Sequence, residues 1–524
     1  MMKVENRRAG DSTPYLHGSD FSSNELAGIW SEPPYGRVAQ MNNLPSGTSE
    51  KAAMMGTHQP QKELFNYQVN LDKRVRADHP LRRINAALDL SFVRPVVEHC
   101  YGKNGHVGTD PEILVKMMLL LFLDNVASER ELMAVIRERL DYLWFLGYGL
   151  DDEVPNHSVL SKARARWGEE VFRDLFVRTV QQCVAAGLVD GQKLHIDSSL
   201  VRAAASRDSI QQAPPELVAA LRQAYDTEEQ KLDERPRKGV NATHVSSTDP
   251  DATLARGGGA PVSQLSYKHH RVVDDAHGVI TAVQTTTGEA GDAAQLPGLV
   301  RQHESHTGTR PSTAVGDKHY GTAENYRHCQ TQNITAHLGQ AEAYGSKDIF
   351  PVSAFVYESE QDRYRCPAGH YLYYHNYKKD DRLIEYRIEK AAFCAGCALR
   401  KQCTRSKAGR SVTRPIFSEL VEAARTQANS QAARRDRARR KHIMEGSFAD
   451  AANNHGFKRA RWRRWWRQQI QDWLIAAVQN LRILLKKGRK LAGAGMGSST
   501  LFIAWVVRAL SLLIASRSWS PKHP

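Results

Sequence analysis

Cysteine, long apolar runs and negative charge are all scarce in this chain of 524 residues. Seven cysteines, an odd number, argue against a disulfide framework and for a reducing compartment. The longest apolar run, TLFIAWVVRALSLLIA (Thr500 to Ala515), is short for a bilayer span and carries Arg508 near its middle. A packed terminal helix is therefore expected there, and no membrane segment. No apolar stretch follows the opening MMKVENRRAG, so no secretory signal is expected either. Acids number 57 against 72 lysines and arginines, a net charge of +15. That balance favours a polyanionic partner, either nucleic acid or an anionic membrane surface. With 41% hydrophobic and 25% charged residues the chain reads as globular and soluble, long enough for two to four domains.

Texture divides it. Residues 1–60 are rich in Gly, Ser, Asn and Pro without periodicity, which predicts disorder and a dispensable segment. From Pro80 to Val180 apolar residues recur at helical spacing, as in PEILVKMMLLLFLDNVASERELMAVIRERL. Ser128, with Glu129 and Glu131 behind it, suits a helix start. Both a helix-turn-helix-like arrangement and a plain packing or dimerisation domain fit this region. A polar insertion follows, with one helix (PPELVAALRQAYDTEEQKLDE) and a glycine-rich loop. SYKHHRVVDDAHGVITAVQTTTG then predicts a β-hairpin turning at Asp275 to Gly278. STAVGD and ITAHLG predict short strands with a helix between them, and no internal repeat is visible.

Two of these strands end in carboxylates: KLHID at Asp197 and STAVGD at Asp317. Neighbouring strand-end carboxylates raise each other's pKa unless a cation intervenes. Mg²⁺ takes such hard oxygens and leaves positions for water and phosphate, and two such ions about 4 Å apart support phosphoryl transfer. A third carboxylate beside DNA is sought on the basic helix RRDRARRKHIMEGSFAD, where Glu445 is the only acid between Asp436 and Asp450. Rivals are weaker. Asp274 and Asp275 suit the hairpin turn, Asp292 lies in a loop, and Asp450 falls off the Glu445 face. His195, sharing a strand face with Asp197, is either a metal or phosphate neighbour or simply a satisfied buried histidine. His319 and Tyr320 are weaker candidates for the DNA backbone.

Four of the seven cysteines cluster. RYRCPAGHYLYY and FCAGCALRKQC place Cys366, Cys394, Cys397 and Cys403 as C-x27-C-x2-C-x5-C, with knuckle-like turns. Tetrahedral Zn²⁺ takes four thiolates, two of them from one CxxC turn; a redox pair or buried thiols are the alternatives. YLYYHNYKKDDRLIEYRIEK, lying between, predicts a small hairpin. Basic and aromatic residues alternate in KRARWRRWWR (Lys458 to Arg467). Arginines there would neutralise phosphates, while some of the tryptophans, Trp473 among them, must pack on the core.

In LHIDSSLVRA, YKHHRVVDDAHGVITAVQTTTG, AVGDKHYGTAEN and RRKHIMEGSFADAANNHGFKRARWR the chain resembles a DDE transposase of bacterial insertion sequences. Upstream, ILVKMMLLLFLDNVASERELM and FLGYGLDDEVPNHSVLSKARAR are similar to the InsH-type helical domain of that group. The resemblance covers roughly residues 62–487. It implies an α+β multi-domain protein: an RNase H-like mixed β-sheet flanked by helices, an all-α N-terminal domain and a small zinc-binding insertion. Expected boundaries are 1–60 (extension), 61–185 (helical domain), 190–340 (first part of the core, with its polar insertion about 206–262), 341–412 (cysteine-rich insertion), 413–487 (glutamate helix and C-terminal helices) and 488–524 (tail). Asp197, Asp317 and Glu445 would hold two Mg²⁺ (or Mn²⁺) ions, and Cys366, Cys394, Cys397 and Cys403 one Zn²⁺. Lys441, Lys458, Arg459, Arg461 and Arg463 would bind DNA.

The implied partner is double-stranded DNA, as transposon terminal repeats and target, with a homodimer or larger active complex in the cytoplasm at the nucleoid. A nuclease without strand transfer, or a catalytically dead zinc-containing DNA-binding protein, are the alternatives. One departure concerns DNA anchoring. Related enzymes commonly carry Arg four residues before the glutamate and Lys seven after it; here those places hold Lys441 and Ala452, and Lys458 or Arg459 are candidate substitutes.

Overall fold

The computed structural model describes residues 69–102, 107–214, 216–218, 220, 240–257, 261–339, 349–378 and 383–493. The extension 1–60, most of the helix foreseen in the polar insertion and the apolar run Thr500 to Ala515 lie outside the described residues.

The first half is helical, from Leu71–Arg74 to Glu170–Ala185. Its centre is the helix Pro111–Leu123. Asp110 caps it by accepting from the Glu112 N–H at 2.9 Å, and Pro111 supplies a preset φ at the first position. The sequence spacing predicts an amphipathic helix, yet all of it but Glu112 and Lys116 is buried, because neighbours pack on every side. Ser128 caps Glu129–Glu138 as expected, accepting from Glu131 N–H while the Glu131 carboxylate reaches back to Ala127 N–H.

A six-stranded sheet follows. Its strands are β1 (Lys193–Arg202), β4 (Thr253–Ala255), β5 (Gln264–Asp274), β6 (Ile280–Thr287), β7 (Thr313–Gly316) and β8 (Thr335–Leu338). The order is β4-β5-β1-β7-β8, with β6 also on β5. β6, β5 and β1 run antiparallel, whereas β7 and β8 join parallel to β1. The hairpin turns where foreseen, with Gly278 at φ 78°. β2 (Ile210–Gln212) and β3 (His244–Ser246) form a separate pair. β5 and β6 are buried almost throughout, because the helix Leu296–Thr307 and the helix Trp465–Gly493 both pack against them.

One apolar core links distant parts of the chain. Phe122, Leu132 and Phe176 of the helical half belong to the same cluster as Phe457, Ile470, Leu474 and Val478. Burying each such side chain is worth about 1.5–3 kcal/mol.

A second sheet, β13-β12-β11-β10-β9, stands apart with its own small core. It comprises β9 (Val356–Glu358), β10 (Arg363–Arg365), β11 (Tyr371–Lys378), β12 (Leu383–Ile388) and β13 (Ser411–Pro415). β11 and β12 are the expected hairpin, with a bulge between Tyr374 and Asn376.

The end of the chain departs from expectation in one respect. The basic run after Glu445 reads as continuing helix, but the helix Gln431–His455 stops at Gly456, whose φ is 64°. A Cβ at Gly456 would stand 2.5 Å from Asn125 Oδ1, so any other residue there would also push that side-chain tip aside. Lys458 to Ala460 then run extended beside the end of β1, exchanging backbone hydrogen bonds with Arg202. The next helix begins at Trp465.

Candidate active site and cysteine cavity

Asp197 lies in β1 opposite Arg271 of β5. Lys193 to His195 pair in parallel register with Thr313 to Val315, so Asp197 and Asp317 each follow two residues after the last paired position, close enough for the Asp317 charge to act on Asp197. Their side chains differ in company. Asp197 accepts from Arg440 Nη1 at 2.7 Å and from Ser198 N–H at 2.9 Å. Burial raises its pKa, and the nearby Asp317 charge adds to that, while Arg440 and Ser198 oppose it. Asp317 caps a short turn by accepting from His319 N–H at 2.9 Å.

Beside this pair opens a cleft of about 930 Å³, lined among others by Ser198, Ser199, Lys268, Asp292, His319 and Lys458. Asp292, which the sequence suggests is only a loop residue, is tied to the site. Ser198 Oγ donates to it at 2.8 Å and Lys268 Nζ lies at 3.1 Å. Burial would raise its pKa, but Lys268, His270 and Ser198 hold it below the usual carboxylate range. Tyr320 is buried, and its hydroxyl has no hydrogen-bond partner. Burial pushes that hydroxyl's pKa far up, as do the charges of Asp292, Asp197 and Asp317. His319 is exposed at the cleft wall.

The helix Gln431–His455 lies across β1, β7 and β8. Asp436 anchors it, accepting from Lys193 Nζ at 2.9 Å and pairing with His337 Nδ1 at 2.7 Å. Arg440 reaches Asp197, Met444 is buried, and Ser447 Oγ accepts from Arg271 Nη1 at 2.8 Å. Positions 436, 440, 444 and 447 therefore define the face toward the sheet. Glu445 is turned about 140° round the helix from Arg440, on an exposed flank it shares with Lys441. The structure thus brings Asp197 and Asp317 together and sets Glu445 to one side.

The foreseen DNA contacts divide similarly. Lys441, Arg459 and Arg463 are exposed, with Arg463 Nε 3.3 Å from the Ala204 carbonyl. Lys458 Nζ donates to Ser199 Oγ at 2.6 Å, so it joins the cleft wall by the extended route. Arg461 instead binds the Val126 carbonyl and Asn125 Oδ1 of the helical half. The tryptophans are structural as well. Trp462 packs edge-on to Phe122 beneath Arg164, Trp465 Nε1 donates to the Thr285 carbonyl, and Trp473 is buried.

The rivals have local duties. Asp274 accepts from Gly191 and Ala276 N–H, and burial raises it to about 6. His195 is fully buried and bonded to Asp275 at 2.7 Å, which also binds Arg439. Asp450 is held far below the usual range by His455, Asn454 and Gln479. What sequence reasoning missed was Arg440, Asp292 and Lys268. Only Arg440 carried a signal, as part of the run RRDRARRK.

Cys366, Cys394, Cys397 and Cys403 line one small cavity of about 20 Å³. Burial raises the Cys403 thiol, and Cys394, Cys366 and Cys397 push the same way, so the four sulfurs are near neighbours. His370 N–H donates to Cys366 Sγ at 3.3 Å across a turn with Gly369 at φ 86°, a knuckle geometry. All seven cysteines are free thiols. Among the described residues, no group of three or more His, Cys, Asp or Glu is arranged to hold a metal ion. Nor is any helix among them long and apolar enough to cross a membrane.

Two family models match the chain. A transposase domain (DUF772) matches residues 69–166, the helical half, and a transposase DDE domain matches residues 365–485. The second span holds the cysteines and Glu445 but neither Asp197 nor Asp317. Together they support a DDE transposase of insertion-sequence type. The DDE domain makes it a metal-dependent DNA-cleaving enzyme and implies an RNase H-like fold, which agrees with three antiparallel and two parallel strands around β1. No curated protein matches.

Proposed function

We propose that the protein cuts DNA at the ends of its own mobile element and joins the freed 3′ ends to target DNA. Asp197, Asp317 and Glu445 are the metal-binding carboxylates of this reading. The observation that carries it is the pair Asp197 on β1 and Asp317 just past the neighbouring parallel β7, electrostatically coupled, next to Ser198 and His319 of an open cleft with Lys268 and Lys458 in its walls. Two such carboxylates fit Mg²⁺ or Mn²⁺ chemically, since each disfavours the other's charge until a cation is shared. Bound divalent ions would activate the attacking water and stabilise the leaving oxygen.

The chain's own residues do the rest. Arg440, paired with Asp197 at 2.7 Å, would offer its guanidinium to a phosphate were a divalent ion to share that carboxylate. Lys458 and the exposed Lys441, Arg459 and Arg463 neutralise the DNA backbone on approach. Ser198 and Lys268 fix Asp292, which keeps the cleft wall in place. The four cysteines would hold one structural Zn²⁺, shaping the insertion and taking no part in the cut. The active assembly would be a dimer or larger on double-stranded terminal repeats, working at the nucleoid.

A second reading of the third carboxylate is favoured by Tyr320, whose hydroxyl feels Asp292 together with Asp197 and Asp317. On that reading Asp292 completes the site and Glu445 serves the DNA flank. End-labelled DNA carrying the element's termini, incubated with Mg²⁺, tests both. Asp197→Asn and Asp317→Asn should each lower cleavage by about a thousandfold or more. Loss on Glu445→Gln with activity kept by Asp292→Asn supports the first assignment, and the reverse pattern supports the second. Cut products without joined products would leave a nuclease. Unimpaired cutting by Asp197→Asn would end the reading.

A further inference from the structure

The β9–β13 sheet has one dry face and one open face. Tyr364, Leu372, Tyr386, Ile388 and Val412 make the dry one, together with Cys394. Pairing register defines the other. Arg363 stands opposite Tyr373, Tyr373 opposite Arg387, and Arg365 opposite Tyr371. The Arg363 guanidinium lies 3.7 Å from the Tyr371 ring centre, and the Tyr371 and Tyr373 rings are 6.5 Å apart. Tyr373 is 40% exposed. Four cations, Arg363, Arg365, Lys378 and Arg387, share this face with two carboxylates, Glu358 and Glu385, with which they pair. The balance is positive.

Neither the sheet's core nor the cysteine cavity explains these rings, for both lie on the other side. Flat aromatic rings on an open sheet, bracketed by arginines, present what a base and a phosphate need. Any base can stack on a tyrosine face, and the cations take the backbone. Duplex DNA hides its base faces, so the complementary partner is unpaired strand. The open ring is Tyr373; Tyr371, 6.5 Å away and inclined at 51°, carries Arg363 on its face, so that a base stacked on Tyr373 has a guanidinium beside it for the phosphate. We propose that the open face of β10, β11 and β12 is a stacking platform for single-stranded DNA, the strand exposed beside a cut end. This deepens the DNA-cleaving reading and rests on it for its substrate, though not on the cleavage residues.

The test is anisotropy of labelled oligothymidylate, and of a duplex of equal length, with the full-length protein and no added Mg²⁺. Tyr373→Ala should weaken single-strand binding roughly tenfold and leave duplex binding unchanged, while Tyr373→Phe retains both. Arg387→Ala should lower the salt slope for single strand by about one. An unchanged unfolding midpoint for Tyr373→Ala confirms that the exposed ring is not a folding residue. Equal single-strand affinity of Tyr373→Ala and wild type overturns the proposal. So does an equal loss for duplex, which means phosphate contact alone, or dissociation of an oligomer by Tyr373→Ala, which means a second copy covers this face. If Tyr373→Ala leaves single-strand binding intact while the wild type cuts DNA, the platform fails and the cleavage reading stands. Tyr373-dependent binding without any cutting keeps the platform and ends the cleavage reading.

Discussion

The two sheets are stabilised in opposite ways. The central sheet is covered on both faces, so its polar residues are buried and must find partners inside. Arg271 shows the result. It is fully buried, donates to His269, Ser447 and Gln479, and lies over the rings of Phe448 and Phe457. His269 in turn pairs with Asp472, which also accepts from Thr285 Oγ1 and Gln468. The small sheet buries a single face over a handful of side chains and leaves the other to water. Networked burial fixes the central site; a core as small as that of the second sheet contributes far less, which is why the proposed zinc would matter there.

That contrast can be broken or sharpened, beginning where the effect is largest. Removing a ligand should undo the small sheet alone. Cys394→Ser, or zinc chelation, should abolish its cooperative unfolding transition, because structural zinc supplies about 10 kcal/mol or more of folding free energy, while the helical signal persists. Metal analysis should find about one zinc per wild-type chain. In the central region the vulnerable point is packing. Phe457→Ala should cost about 3–5 kcal/mol in denaturant unfolding, since Phe457 is fully buried between Phe448, His269 and Arg271.

A smaller effect comes from acid. Burial drives His270 down to about 3, with Asp292 opposing, and lowers His269 and His195 too. The unfolded chain takes up these protons below about pH 6.5 and the folded chain does not. Stability should therefore fall as pH drops from 6.5 toward 3, by about 1.4 kcal/mol per pH unit for His270, with His269 and His195 adding in the same direction. Urea midpoints across pH 5–7 measure it, and His270→Gln should flatten the slope. A pH-independent midpoint would show that these side chains are hydrated. Smallest is the exposed flank of the basic helix: Lys441→Ala should reduce the salt slope of duplex binding by about one.

Much of this was legible. The strand ending at Asp317, the hairpin turn, the Ser128 cap and the β11–β12 hairpin follow from local rules of alternation, capping and turn chemistry. Asp197, expected at a strand end, lies instead inside β1, which runs on to Arg202 because β5 continues to pair with it. The four cysteines meet at one cavity because their spacing already sets two turns facing each other. Illegible were contacts made across hundreds of residues. Nothing local marks Asp292 as the partner of Ser198, or gives Arg440 to Asp197 while Glu445, five residues on, turns away. The helix break is different, since Gly456 was visible, but the surrounding arginines read as continuing helix. Packing on Phe122 and a hydrogen bond to the Thr285 carbonyl account for Trp462 and Trp465, as expected of some of these tryptophans.

The shared core of the helical half and the last helix also sets an order of events during synthesis. His455 pairs with the Phe122 carbonyl, Arg461 with that of Val126, and Cys183 with that of Asn480, partners separated by 297 to 335 residues. At about 5–20 residues per second, the ribosome needs some 15–60 s to deliver the second partner after the first. Through that interval the apolar helix Pro111–Leu123 waits with part of its surface uncovered, and closure then bears the slow kinetics of high contact order. Emergence of the helix Trp465–Gly493, more than any early collapse, is the moment at which this shared core can close.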